Sequence, residues 1–218
     1  FAMRKNVKKQ LALRVLSTAA LVAMVSSIAT AAFAAEYNVK DGSVEIVAKD
    51  GSQSITQWAD KDNNLCVKDG EGKDIRDRED SNIILTTKNK DTGETETTSN
   101  TVTITAENKG DTANVTLKDV DIETESIWNN SGSAPIEIKG NGNTNLELTG
   151  DNTVLSGDRH HAAIEKADKN GHGTLTIKDD LNDDNSTPKD KDENGNAAGG
   201  DTGKLLAGGY GDGAGIGG

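Results

Sequence analysis

Leu146-Glu147-Leu148-Thr149-Gly150-Asp151-Asn152 sets two leucines on one side of an extended chain and Glu147 and Thr149 on the other. Strand side chains alternate with a period of two, so this is the pattern of a half-buried strand, and the Gly-Asp-Asn that follows is a turn signal. The same element recurs earlier at Val115-Thr116-Leu117-Lys118-Asp119 and later at Leu175-Thr176-Ile177-Lys178-Asp179. Each copy follows a companion strand, ending at Ile104, Ile138 or Ile164, across a polar turn.

Working outward, Val44-Glu45-Ile46-Val47, Ile83-Ile84-Leu85, Val102-Thr103-Ile104, Val120-Asp121-Ile122 and Ile136-Glu137-Ile138 carry the same short apolar pattern. Asn108-Lys109-Gly110, Gly140-Asn141-Gly142-Asn143 and Asn170-Gly171-His172-Gly173 punctuate it. Helical spacing is confined to His161–Lys169, too short for a stable helix. A strand with one or two inward side chains cannot close a core alone, but units recurring every ~30 residues can stack into one. Aromatic residues make up only 3 % of the chain, fewer than a sandwich core uses. The expected fold is therefore all-β, a right-handed parallel β-helix (solenoid).

Met3 opens a basic segment with Arg4, Lys5, Lys8, Lys9 and Arg14 and no acidic residue. An apolar run from Val15 to Ile28 follows and closes on Ala32-Phe33-Ala34, the small-x-small pattern of a signal-peptidase site. Residues 3–34 are thus expected to be a signal peptide cleaved after Ala34. Ser26, Ser27 and Thr30 interrupt the run short of the roughly 20 apolar residues of a membrane span. The product is expected to be secreted or cell-surface associated, with no membrane insertion of the mature chain. Residues 35–98 are assigned to an N-terminal cap and first coils, and 99–218 to β-helix repeats with an acidic loop insertion near 182–198. Gly-rich residues end the chain; Ala207, Ala214 and Ile216 have no further repeat to stack on, so the solenoid is expected to be truncated at the C-terminus.

The formal charge is −12, and loss of the five basic residues of the leader takes it to −17. Such a field repels phosphate backbones, so no nucleic-acid partner is expected. Cys66 is alone, which rules out an internal disulfide.

Several stretches together carry a family resemblance. They are Ala134-Pro135-Ile136-Glu137-Ile138-Lys139-Gly140-Asn141-Gly142-Asn143, then Leu146-Glu147-Leu148-Thr149-Gly150-Asp151-Asn152-Thr153-Val154-Leu155-Ser156-Gly157, His161-Ala162-Ala163-Ile164, Gly173-Thr174-Leu175-Thr176-Ile177 and the closing Gly213-Ala214-Gly215-Ile216-Gly217-Gly218. In this order they resemble secreted surface proteins of anaerobic Gram-positive bacteria labelled carbohydrate-binding domain-containing, of the β-helix repeat type. The resemblance runs from about Tyr37 onward and implies a right-handed β-helix outside the cell; it transfers no catalytic residues. The acidic stretch between Asp180 and Gly199 departs from the family pattern.

Candidate sites follow from residue chemistry. Trp58 and Trp128 are the glycan-stacking candidates, since an indole face meets the apolar face of a sugar ring. For Trp128, the alternative is a Trp folded over the solenoid flank. Asp190-Lys191-Asp192-Glu193-Asn194-Gly195, with Asp201 at the twelfth position, has the oxygen spacing of a calcium loop but lacks the closing Glu and flanking helices. Asp190, Asp192, Asn194 and Asp201 are the metal candidates; no cofactor is expected beyond calcium at that loop, whose alternative is a solvated turn. Gly171-His172-Gly173 and Asp179-Asp180 echo pectin hydrolases in reversed order and without a following basic pair, and Arg76, Arg78 and Arg159 are the only arginines of the mature chain. His160, His161 and His172 read as turn residues, adjacent strand positions facing opposite ways. The resulting expectation is a non-enzymatic binding or adhesion module whose partners are glycans or a host or cell-wall surface, with no catalytic residues. A β-helical carbohydrate-active enzyme (polysaccharide lyase or hydrolase) and a passive structural stalk stay open as alternatives.

Overall fold

A computed structural model describes residues 35–125, 132–166, 172–179, 203–211 and 213–217. Residues 3–34, expected from sequence to be a signal peptide, and the acidic stretch near 182–198 lie outside the described residues. The described strands, in chain order, are β1 (Glu36–Asn38), β2 (Ser43–Lys49), β3 (Ser52–Trp58), β4 (Arg78–Glu79), β5 (Ile83–Thr86), β6 (Val102–Ala106), β7 (Thr112–Lys118), β8 (Asp121–Glu123), β9 (Ile136–Lys139), β10 (Asn143–Thr149), β11 (Asp151–Ser156), β12 (Ile164–Lys166), β13 (Leu175–Lys178), β14 (Lys204–Gly209) and β15 (Ile216–Gly217). Among the described residues there is no α-helix, only one 3-10 turn at Val39–Asp41, and no helix long and apolar enough to cross a membrane. The fold is all-β.

Three sheets result: β1-β5-β7-β10-β13, β8-β11-β14, and β15-β12-β9-β6-β2-β3-β4. Every named pairing is parallel except β2–β3 and β3–β4. From β7 onward the chain visits the first, second and third sheet in that order three times. From β7 onward consecutive strands lie in different sheets, so parallel neighbours are a full circuit apart in the chain, which supplies the long connection that parallel pairing requires. β10 passes to β11 through Gly150 alone.

The register explains the sequence repeat and corrects its alignment. Val115 pairs beside Leu146 and Leu146 beside Ile177, the same step along the chain each time. Matching the sequence copies by their first apolar residue would set Leu175 beside Leu146; Leu175 instead stands beside Thr144. Apolar residues alternating over Leu175 to Ile177 and Leu146 to Leu148 look alike at either register, and only the ladder distinguishes them.

Inward side chains pile up in columns. Val44, Val102, Ile136 and Ile164 form one, continued by Ile216; Ile46, Ile104 and Ile138 form the next. On the first sheet Tyr37, Leu85, Leu117 and Leu148 line up. Residues of all three sheets join in one buried apolar cluster, where each such side chain contributes about 1.5–3 kcal/mol. Towards β15 the column opens, and Ile216 is 48 % exposed.

Three polar side chains bond to backbone at the margins of the ladders. Asn152 is buried at the turn between the first and second sheets; its Oδ1 accepts from Val120 N–H at 3.0 Å and its Nδ2 donates to Thr149 O and Lys204 O, each at 3.1 Å. Gln53 on β3 acts as a substitute strand. Its Oε1 accepts from Asn114 N–H at 2.7 Å and its Nε2 donates to Asn114 O at 3.0 Å, one residue before β5 begins to pair with β7. Gln57 donates from Nε2 to Asn38 O at 2.6 Å and Gly42 O at 3.1 Å.

The β2–β3 hairpin stands apart from the expected stack of parallel strands. Its signal is Asp50-Gly51, both in the left-handed region (φ 50° and 79°), the two-residue turn that matches the twist of antiparallel strands. Replacing inward Ile104 by Ala should cost about 2–5 kcal/mol through the cavity left behind, while outward Thr105→Ala should change stability by less than about 0.5 kcal/mol. Urea unfolding midpoints measure both; equal losses would mean that the Ile104 column is not interior.

Candidate functional site

Counting out from the Asp50-Gly51 turn brings Trp58 opposite Ser43 at the far end of the hairpin. There a groove of about 420 Å³ opens on the outward side of the third sheet, within the roughly 300–1,000 Å³ usual for small-ligand sites. Ser43, Val44 and Glu45 of β2 form its floor with Thr101 and Thr103 at β6 and Lys139 of β9; Trp58, Lys61 and Asn63 complete the wall.

Each part is held for a local reason. The Trp58 ring lies under the Arg76 guanidinium, whose carbon is 5.1 Å from the ring centroid, a cation–π geometry. Its indole N–H donates a long hydrogen bond, 3.4 Å, to Glu45 Oε2. Arg76 is carried there by a ribbon beside β3: Val67 N–H donates to Gln57 O, Ile75 N–H to Val67 O, and Gln57 N–H to Ile75 O. Lys61 and Asn63 ride on a turn that Asp60 caps, its Oδ1 accepting from Asn64 N–H at 2.9 Å and Leu65 N–H at 2.8 Å. Those donors, Leu65 first, hold the Asp60 carboxyl below its ordinary range. Asn63 takes the left-handed conformation the turn needs (φ 55°), which Asn tolerates better than most residues.

Electrostatics alternate across the face. Glu45, Thr103, Glu137 and Glu165 stand in one row down β2, β6, β9 and β12. Lys139 binds Glu137 at 2.8 Å, and His161 Nδ1 lies 2.8 Å from Glu165 Oε2. Behind Arg76, Asp69 accepts from the backbone N–H groups of Lys73 and Glu71, both at 2.9 Å, and pairs with Arg78.

Of the residues marked from sequence, Trp58 lines this groove. Trp128 and the calcium candidates Asp190, Asp192, Asn194 and Asp201 lie outside the described residues. Among the described residues no three His, Cys, Asp or Glu side chains gather as a metal site. The histidines serve separate turns: His160 N–H donates to Asp158 Oδ1, His161 meets Glu165, and His172 O accepts from Lys166. Asp179 Oδ2 accepts from Gly203 N–H. Sequence reasoning does not reach Lys61, Asn63 and Lys139 as groove residues, nor Arg76 as the partner of Trp58. The Asp50-Gly51 signal, followed outward, would place Trp58 against β2, but the loop 59–77 carries no periodicity to place the rest.

No family model, no curated protein and no solved structure matches the chain.

The Asp69 pair yields a pH expectation. Backbone donation from Lys73, followed by Arg78, lowers the Asp69 carboxyl from 3.8 to about 2. A depressed carboxyl stabilises the fold above its unfolded pKa, and that contribution is lost as pH falls through the folded value. The loop behind Arg76 should therefore keep its structure at pH 3 and loosen near pH 2. Carboxyl carbon shifts should give an Asp69 midpoint near 2 that moves towards the ordinary value in Arg78→Leu; a wild-type midpoint near 4 would remove the pair from the account.

Proposed function

We propose that this chain is a secreted or cell-surface, non-enzymatic binding and adhesion module, built as a right-handed parallel β-helix, that engages glycans at the Trp58 groove. The observation that carries the reading is an indole set in an open groove among hydroxyl, amide and charged side chains. A sugar ring has an apolar C–H face and a belt of hydroxyls. The indole suits the first, and Ser43, Thr101, Thr103 and Asn63 suit the second with both donors and acceptors. Glu45, by engaging the indole N–H, restrains the ring before a ligand arrives, which lowers the entropy lost on binding.

The β-helix is supported by the cyclic order of the three sheets, the constant step of the ladder from Val115 to Leu146 to Ile177 and the single apolar cluster the sheets share. Export is supported by the basic and apolar leader ending at Ala34. The net negative charge favours partners other than nucleic acid.

On a glycan array, Trp58→Ala should lose most of the wild-type signal while its melting temperature stays within a few degrees; an unchanged signal would remove Trp58 from the site. New reducing ends or unsaturated uronates released from polysaccharide by the wild-type protein would replace the binding module by an enzyme.

The architecture has its own test. Deleting residues 115–145 joins Asn114 to Leu146 and removes one repeat unit, so that each column loses one member and keeps its register. The shortened chain should fold cooperatively, with a lower melting temperature. An aggregated or unfolded product would argue against stacked equivalent units.

A further inference from the structure

The groove differs in sign from the molecule that carries it. The chain has a formal charge of −12. The charged residues that line the groove are Lys61, Lys139 and Glu45, and Arg76 lies over its Trp58 ring. Glu137 is engaged by Lys139 at 2.8 Å, and Glu45 accepts the indole N–H of Trp58. Among the described residues, no carboxylate lies within ion-pair distance of the Lys61 ammonium, although many of the chain's lysines are so paired. The turn that presents Lys61 is fixed by Asp60, whose carboxylate is spent on the Asn64 and Leu65 N–H groups.

Resting on the glycan reading above, we infer that the groove selects acidic saccharides, those carrying a carboxylate or sulfate, over their neutral counterparts. The indole takes the ring, the threonine hydroxyls and Asn63 take its hydroxyl groups, and Lys61 takes the anionic substituent. The acidic surroundings do not forbid this. At physiological ionic strength charges are screened beyond about 8 Å, so a ligand seated in the groove responds to the cations lining it more than to carboxylates on remote turns. Lysine suits the task as a flexible point charge that meets carboxylate or sulfate without a fixed angle.

The test is calorimetric titration of the mature chain with matched pairs: oligogalacturonate and its methyl ester, and sulfated and unsulfated forms of one neutral oligosaccharide. Wild type should bind at least one acidic member more tightly than its neutral partner, by about three- to fivefold, the size of one exposed ion pair. That preference should shrink as NaCl is raised from roughly 50 to 300 mM. Lys61→Gln should erase the preference, and Trp58→Ala should weaken binding of both members of each pair. Equal affinity for both members of every pair, or an unaltered preference in Lys61→Gln, overturns the acidic selectivity and leaves a glycan groove standing. Absence of binding to every saccharide overturns the glycan reading as well.

Discussion

In-register parallel stacking of short strands is the constraint on which the rest of this structure depends. Neighbouring strands lie about 4.8 Å apart, so every backbone N–H and C=O of an inner strand is satisfied only if the next strand sits directly beside it, and every inward side chain must fit the one in the adjacent layer. The Ile46–Ile104–Ile138 and Val115–Leu146–Ile177 columns meet both demands at once. The same closeness dictates the turns. A Cβ on Gly140 would come within 2.0 Å of Ala106 O, and the residue's φ of 87° is one that side chains resist. Glycine there follows from the neighbouring strand and not from a need for flexibility.

Stacking also raises an electrostatic difficulty, because repeated outward positions bring like side chains together. Glu137 stands beside Glu165 in the third sheet, an arrangement that is unfavourable between directly opposed like charges. The chain relieves it sideways, with Lys139 on Glu137 and His161 on Glu165, and interrupts the row above with Thr103. Between layers, Lys49 meets Glu107 at 2.7 Å and Lys118 meets Glu36 at 2.9 Å. Exposed pairs of this kind contribute about 0–1 kcal/mol each, so their role is to offset repulsion in an acidic stack more than to hold it together. The holding is done by the columns.

Legibility divides along the same line. Segments such as Val102–Ile104, Ile136–Ile138 and Leu146–Leu148 announce themselves because both demands of stacking are written in their alternation. β11 and β14 are harder to see. Asn152 occupies an inward position that would read as a break, yet its amide completes backbone ladders, and the Gly-rich β14 has few side chains with which to signal a strand. β3 is concealed similarly by inward Gln53 and Gln57, whose amides do the work of backbone. At the groove, Trp58 is conspicuous by rarity, but its partner Arg76 lies far along a loop whose course is set by individual hydrogen bonds.

That division bears on where function can reside. A position inside a column answers to the layers on either side, and a substitution there must satisfy two neighbours before it can serve a ligand. Strands β3 and β4 and the loop 59–77 are free of that double demand, since the named pairings of β3 and β4 are all antiparallel. Large or charged residues that a narrow stack cannot accommodate, Trp58, Arg76 and Lys61 among them, are tolerated there. The regular part supplies rigid outward positions at Thr103, Glu137 and Lys139, and the irregular part supplies chemistry of its own. The groove lies where the two meet, so its floor is set by the ladder and its wall can vary without disturbing the core.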